Sequence, residues 1–198
     1  GRDVVGQVVA LSRANGIAPE QLGDSRDRSW LGLESLLEPA RRGETAGSLD
    51  QALSEAVDAA MRAVGTGDGT KITSSALQRL RDAGAALASG RPLPWQQWAQ
   101  LAKIKAAKAS DPLLDGVRTA AAAHTRHPRL RNDLGAMIRG VFDCAAEALV
   151  AFRSYKLARG LVDFSDQEAE ALRLLDRPEV TRVLAQRLDL ALVDVYLP

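Results

Sequence analysis

Between Pro128 and Arg159, apolar side chains return every third or fourth residue: Leu130, Leu134, Ile138, Val141, Phe142, Ala145, Leu149, Phe152 and Tyr155. That period belongs to an α-helix, so it predicts one helix of roughly 30 residues with a continuous apolar stripe. Pro128 suits its first turn, and Gly160 suits the residue just past its end. A stripe this long needs partners, and the composition says what they are. Ala and Leu dominate while aromatics make up only 4% of the 198 residues, which favours packed helices over a sheet. The expected class is all-α, an irregular bundle of roughly seven or eight helices around the helix at 128–159.

The remaining helices follow from punctuation. Asp3 to Asn15 has helical spacing and stops at Asn15-Gly16. The next thirty or so residues, rich in Gly, Pro, Asp and Arg and interrupted by a short apolar piece, Trp30 to Leu37, read as a loop with room for one helix. Ser48 and Gln51 have the spacing of a capping box, predicting a helix from Leu49 to Val64. Thr73 to Ala88 is a further helix, and Pro94 opens another in which Trp95, Trp98 and Leu101 share a face. Two tryptophans three apart could stack on bases, but with so few other aromatics they read as core. Lys103, Lys105 and Lys108 are expected to continue that helix. Pro112 to His124 is a shorter one.

Several chemistries are excluded or left without support. Gly65 to Lys71 superficially suggests a phosphate loop, yet Thr70 separates Gly69 from Lys71, Asp68 would repel phosphate, and a helix precedes it. His124 and His127 are the only histidines and lack an ordered carboxylate or thiol set for a metal. No nucleophile, base and acid can be assembled from so few candidates. Cys144, the single cysteine, rules out an internal disulfide and reads as a small buried hydrophobe. No run approaches the roughly 20 apolar residues of a membrane span and no leader is evident, so a soluble, cytoplasmic protein without a membrane partner is expected.

The net charge is +1 but unevenly spread. Residues 1–60 hold six Arg against ten Asp or Glu, whereas residues 101–131 hold seven Lys or Arg against Asp111 and Asp115. Such a stretch is either a solvated face or a phosphate-contacting one.

After the long helix, with Tyr155 and Lys156 in its last turns, comes Gly160-Leu-Val-Asp-Phe-Ser-Asp-Gln-Glu168. Ser165 and Glu168 form a second capping-box pattern, and Ala169, Leu172 and Leu175 supply an apolar face. Arg177-Pro-Glu-Val180 opens a helix to Leu188, and Leu190 to Val195 reads as a short apolar strand. This succession over residues 140–194 resembles the UvrD/RecB-like superfamily 1 DNA helicases. It is most similar to the AddA-type helicase/nuclease subunit, also called the exonuclease V beta subunit, of double-strand-break repair. The resemblance implies that residues 1–160 correspond to the helical insertion, subdomain 1B, which helps hold duplex DNA. Residues 161–198 would be a remnant of the first RecA-like motor domain, with a Walker B strand at the end. The chain then looks like an excised piece whose partners are DNA, the rest of the parent helicase and a second nuclease subunit.

The same resemblance marks a departure. The family strand carries Asp-Glu, where Asp helps organise Mg²⁺ and Glu activates water during ATP hydrolysis. Here Asp194 fits the first position and Val195 stands at the second. Valine has no group to polarise water, so ATP and Mg²⁺ belong to the parent, and this chain alone is expected to hold no cofactor and to be inactive. In that context Lys103, Lys105, Lys108, Arg126, Arg129 and Arg131 become the candidate DNA-backbone contacts, independent of base sequence. A reading of a different class is a free-standing helical module that docks a protein partner through its apolar surface.

Overall fold

The computed structural model describes residues 3–65 and 69–188. Among them the chain is all helical: α1 (Val4–Ala14), α2 (Leu22–Glu34), α3 (Ala46–Val64), α4 (Lys71–Ala88), α5 (Trp95–Leu101), α6 (Asp115–Ala122), α7 (Pro128–Arg159), α8 (Phe164–Leu175) and α9 (Pro178–Arg187). The expected strand, Leu190 to Val195, lies outside the described residues, as do Asp194 and Val195. No helix among the described residues is long and apolar enough to cross a membrane. Two compact units form, one from the chain up to Asp27 together with Arg139 onward, the other from Arg28 to Ile138. Both α2 and α7 contribute to each.

The unit from Arg28 to Ile138 holds the larger core. Leu49, Leu53 and Val57 of α3, Ala76 and Leu80 of α4, Trp98 and Leu101 of α5, and Val117 and Ala121 of α6 pack into one buried cluster. Its centre is α3 against α4 and α6, and Leu130 of the long helix is buried in the same unit. Trp98 is wholly buried and Trp95 half-buried beside it, as the shared face predicts. In the other unit a smaller cluster joins Leu22, Ala145 and Leu149 with Val5, Val8, Val9 and Phe142. That narrow contact covers only part of the α7 stripe, leaving Phe152 and Tyr155 at the surface. It also corrects the reading of Cys144, which is exposed because it sits beside the covered line rather than on it.

Three local expectations shift. The one helix allowed for in the loop before Ser48 is α2, which begins at Leu22, ahead of the apolar piece Trp30 to Leu37, and has Leu22 as the buried side chain among its thirteen residues. Arg26 ties it in through Asp27 at 2.9 Å and Asp143 at 3.7 Å. The first capping box is Thr45 with Ser48, and the second Asp163 with Asp166, each beginning upstream of the residue expected from the sequence. The lysines 103, 105 and 108 are not helical, because α5 stops at Leu101. By contrast α7 has the expected bounds, Pro128 to Arg159. Gly160, at φ 61°, closes it with the Gly160 N–H on the Leu157 carbonyl and the Leu161 N–H on the Lys156 carbonyl, a left-handed turn that favours glycine.

Candidate nucleic-acid interface

Residues 102–110 connect α5 to a short 3-10 turn, Asp111–Leu114, without regular structure. Ile104 turns inward and is buried, so its neighbours Lys103 and Lys105 face out, as does Lys108. The loop is fastened along its length. Asp111 Oδ1 accepts from the Ala106 N–H at 2.9 Å, and Thr73 Oγ1, on α4, accepts from the Ala107 N–H at 3.0 Å. From α6, Arg118 donates to the Ile104 and Asp111 carbonyls, each at 2.8 Å. The same guanidinium pairs with the Asp111 carboxylate at 3.2 Å and with Asp115 at 2.7 Å. The Ala106 N–H, followed by Arg118 and the nearby Lys105, holds the Asp111 carboxyl below the ordinary aspartate value.

This fastening shapes a groove of about 760 Å³, open to solvent. Lys103, Lys105, Lys108 and Arg118 line it with Asp111, and the apolar part of its wall is Ile72, Ile104, Ala106 and Pro112. Arg118 is neutralised by its two aspartates. Lys103, Lys105 and Lys108 make no hydrogen bond or ion pair with other described residues, and are the charges this groove presents outward.

The structure treats the other three candidates differently. Arg126 donates through Nε to Glu44 at 2.8 Å, has Glu38 at 3.7 Å, and is only 14% exposed. The hydrogen bond from Arg126 holds Glu44 below the ordinary glutamate value. Arg129 donates to the Leu93 carbonyl at 3.1 Å and lies 4.4 Å over the Trp95 ring. Arg131 pairs with Glu34 at 2.6 Å. Sequence reasoning placed six cations on one face; three gather at the groove and three are engaged in holding the fold. Arg118, which organises the groove, was not among the six. The spacing Asp111, Asp115, Arg118, four and then three residues apart along a helical segment, is the signal that marks it.

Two further sites stand out. His127 is buried at the start of α7, its ring edge-on to Trp95 and Trp98 at centroid separations of 5.2 and 5.4 Å. Its Nδ1 accepts from the Arg129 N–H at 3.1 Å, so the neutral ring carries its proton on Nε2, 3.5 Å from Asp50 Oδ1. In the other unit, the Asp-Phe-Ser-Asp element is held by Lys156. This largely buried lysine reaches Asp163 at 3.2 Å and Asp166 at 2.5 Å, while Arg13 also pairs with Asp163. The Arg13 and Lys156 cations each lie 4.8 Å from the Phe152 ring centroid. Phe164, between the two aspartates, is 83% exposed, and Leu157, Leu161 and Val162 are exposed near it in sequence. Among the described residues no three His, Cys, Asp or Glu side chains gather to hold a metal ion.

Compared with known proteins, the chain matches no family model, no curated protein and no solved structure.

Proposed function

We propose that this chain is the helical, DNA-contacting region of an AddA-type, UvrD/RecB-like helicase/nuclease subunit, binding nucleic acid through its backbone and without base specificity. The observation that carries the reading is the fastened loop presenting Lys103, Lys105 and Lys108 around one groove. Ordering nine residues costs conformational entropy, and here Thr73, Asp111 and Arg118 offset it. The outcome is a set of cations, without an ion-pair partner among the described residues, held ready for phosphates, whose binding releases counterions. In this reading Arg126, Arg129 and Arg131 support the surface, and ATP and Mg²⁺ belong to the parent motor.

The order of elements after residue 128 supports the helicase assignment. A long helix, a glycine turn, an aspartate-capped helix and an Arg-Pro helix occur in the order the resemblance implies. Lys156 clamped on Asp163 and Asp166 gives the Asp-Phe-Ser-Asp element a structural job, fixing the turn between α7 and α8. Exposed Phe164, Leu161 and Val162 fit a face that packs on the remainder of a motor domain. The same exposed residues also favour the second reading, a helical module that docks a protein partner.

Fluorescence anisotropy with a labelled DNA of random sequence tests the proposal. Binding is expected at 50 mM salt, falling steeply by 200 mM, and lost when Lys103, Lys105 and Lys108 are all changed to Gln. Absence of binding at low salt, together with self-association in sedimentation, would favour the docking module.

A further inference from the structure

We infer that a second groove, between α7 and α8, seats a short amphipathic helix of a partner protein, apolar on the face that enters and acidic along its edges. No residue of the lysine groove takes part, so this seat is independent of nucleic-acid binding. The first support is the spacing of the walls. Leu149, Phe152, Arg153 and Lys156 line one side, and Asp166, Ala169, Glu170 and Arg173 line the other. Each set falls at i, i+3, i+4 and i+7, one face of a helix, so the groove follows both helices for two turns, about 10 Å. Ile17 and Pro19, from the turn after α1, complete the lining of a concavity of about 330 Å³. Two helical walls over an apolar floor are the shape that receives the apolar ridge of a third helix.

The second support is apolar surface left uncovered. No side chain of α8 is buried: Ala169 is half-buried, and Leu172 and Leu175 are exposed. Leu157, Leu161 and Val162, which also line the groove, are exposed as well. A small apolar molecule inside the groove would leave Leu172 and Leu175 in water, whereas a polypeptide long enough to follow α8 covers both.

The third support is charge. Arg13 and Lys156 are answered by Asp163 and Asp166, an ionic cluster that fixes the groove where α7 turns into α8. Arg153 makes no hydrogen bond or ion pair among the described residues. Arg173 pairs with Glu170, but both side chains are more than half exposed, and such a pair contributes little. A partner carboxylate can therefore engage Arg153 and Arg173 at small cost, which selects acidic edges over basic ones.

The probe is a fluorescein-labelled, fourteen-residue helical peptide with Leu and Phe along one face and Glu along the other, compared with a counterpart carrying Lys in place of every Glu. Anisotropy is read with the full chain, with Arg153→Glu and with Val162→Asp, both changes falling on exposed side chains. The acidic peptide is expected to bind about tenfold more tightly than the basic one, as two surface ion contacts allow. Arg153→Glu should remove that preference, and Val162→Asp should weaken the acidic peptide about tenfold. Equal binding of the two peptides, a preference unchanged in Arg153→Glu, or no binding of the acidic peptide at 100 µM chain would overturn the inference. So would self-association of the chain in sedimentation that Val162→Asp abolishes, since a second copy would then fill the groove.

Discussion

Removing or protonating His127 should loosen the start of α7. The ring is about 1% exposed, caps the helix through Nδ1 and fills the space between Trp95 and Trp98. His127→Ala loses a cap worth about 1 kcal/mol and leaves a cavity, for a total of about 3–4 kcal/mol. His127→Asn keeps an acceptor for the Arg129 N–H and should cost about 1 kcal/mol less than Ala. Protonation acts on the same bond. With a proton on Nδ1 the ring would face the Arg129 N–H donor to donor, and an imidazolium would be buried. Asp50, 3.5 Å from Nε2, and Asp133 favour the charged ring, while Arg129 opposes it; burial is the largest influence and holds His127 below the ordinary histidine value.

The unfolded chain, titrating near pH 6.5, therefore takes up this proton first as the solution is acidified. The stability contributed by neutral His127 is complete above about pH 6.5. It declines from there down to the folded value, by up to about 1.4 kcal/mol per pH unit. Urea unfolding at pH 7.5, 6.5 and 5.5 should show the parent chain losing stability relative to His127→Asn as pH falls. If the parent chain gains on the variant instead, Asp50 outweighs burial and the argument is wrong. Equal stability of the Ala and Asn variants would remove the capping role.

Lys156→Met should destabilise the unit containing α8 by about 1–2 kcal/mol, less than a fully buried pair because Asp163 and Asp166 are each about a third exposed; thermal unfolding by circular dichroism measures it. Contacts from Lys156 and the paired N–H groups hold both aspartates below the ordinary value, against burial in each case. Their stabilisation is therefore present above about pH 4 and is lost as pH falls through the folded values, which an acid titration of the parent and Lys156→Met would compare. Arg118→Ala should cost about 2–3 kcal/mol, since it strips donors from two carbonyls and from Asp111, and it should weaken binding of the labelled DNA by freeing the lysine loop. Cys144 should react with one equivalent of a thiol reagent without denaturant; slow reaction that needs urea would contradict its exposure.

The parts of the fold that sequence made plain are those where strong punctuation and a wide apolar stripe agree. Pro128, Gly160 and nine apolar positions leave α7 little choice of bounds. In α2 nothing of the kind exists: Gly23, Gly32 and a run of Asp, Arg and Ser give no stripe, and the helix is fixed by Leu22 and by Arg26. The capping boxes shifted because the local chemistry offers overlapping registers. Thr45, Ser48 and Gln51 are spaced by three, as are Asp163 with Asp166 and Ser165 with Glu168, and the upstream pair won in both. At the candidate site, the charge of residues 101–131 was visible but its division was not. Whether an arginine faces solvent or Glu44 depends on a residue 82 positions away, which periodicity along one helix does not reach.

That division sets how the surface can change over generations. Arg126, Arg129 and Arg131 are each answered by a distant group, so replacing one disturbs packing and is open to selection through stability. Lys103, Lys105 and Lys108 make no hydrogen bond or ion pair among the described residues, and the loop that carries them is held by Thr73, Asp111 and Arg118 instead. Their identity can drift, reverse in sign or be tuned by single substitutions while the scaffold persists. Across relatives of this chain, variation at those three positions would record pressure from whatever the groove binds, and constancy at Arg118 and Asp111 would record the need to hold the loop that presents them.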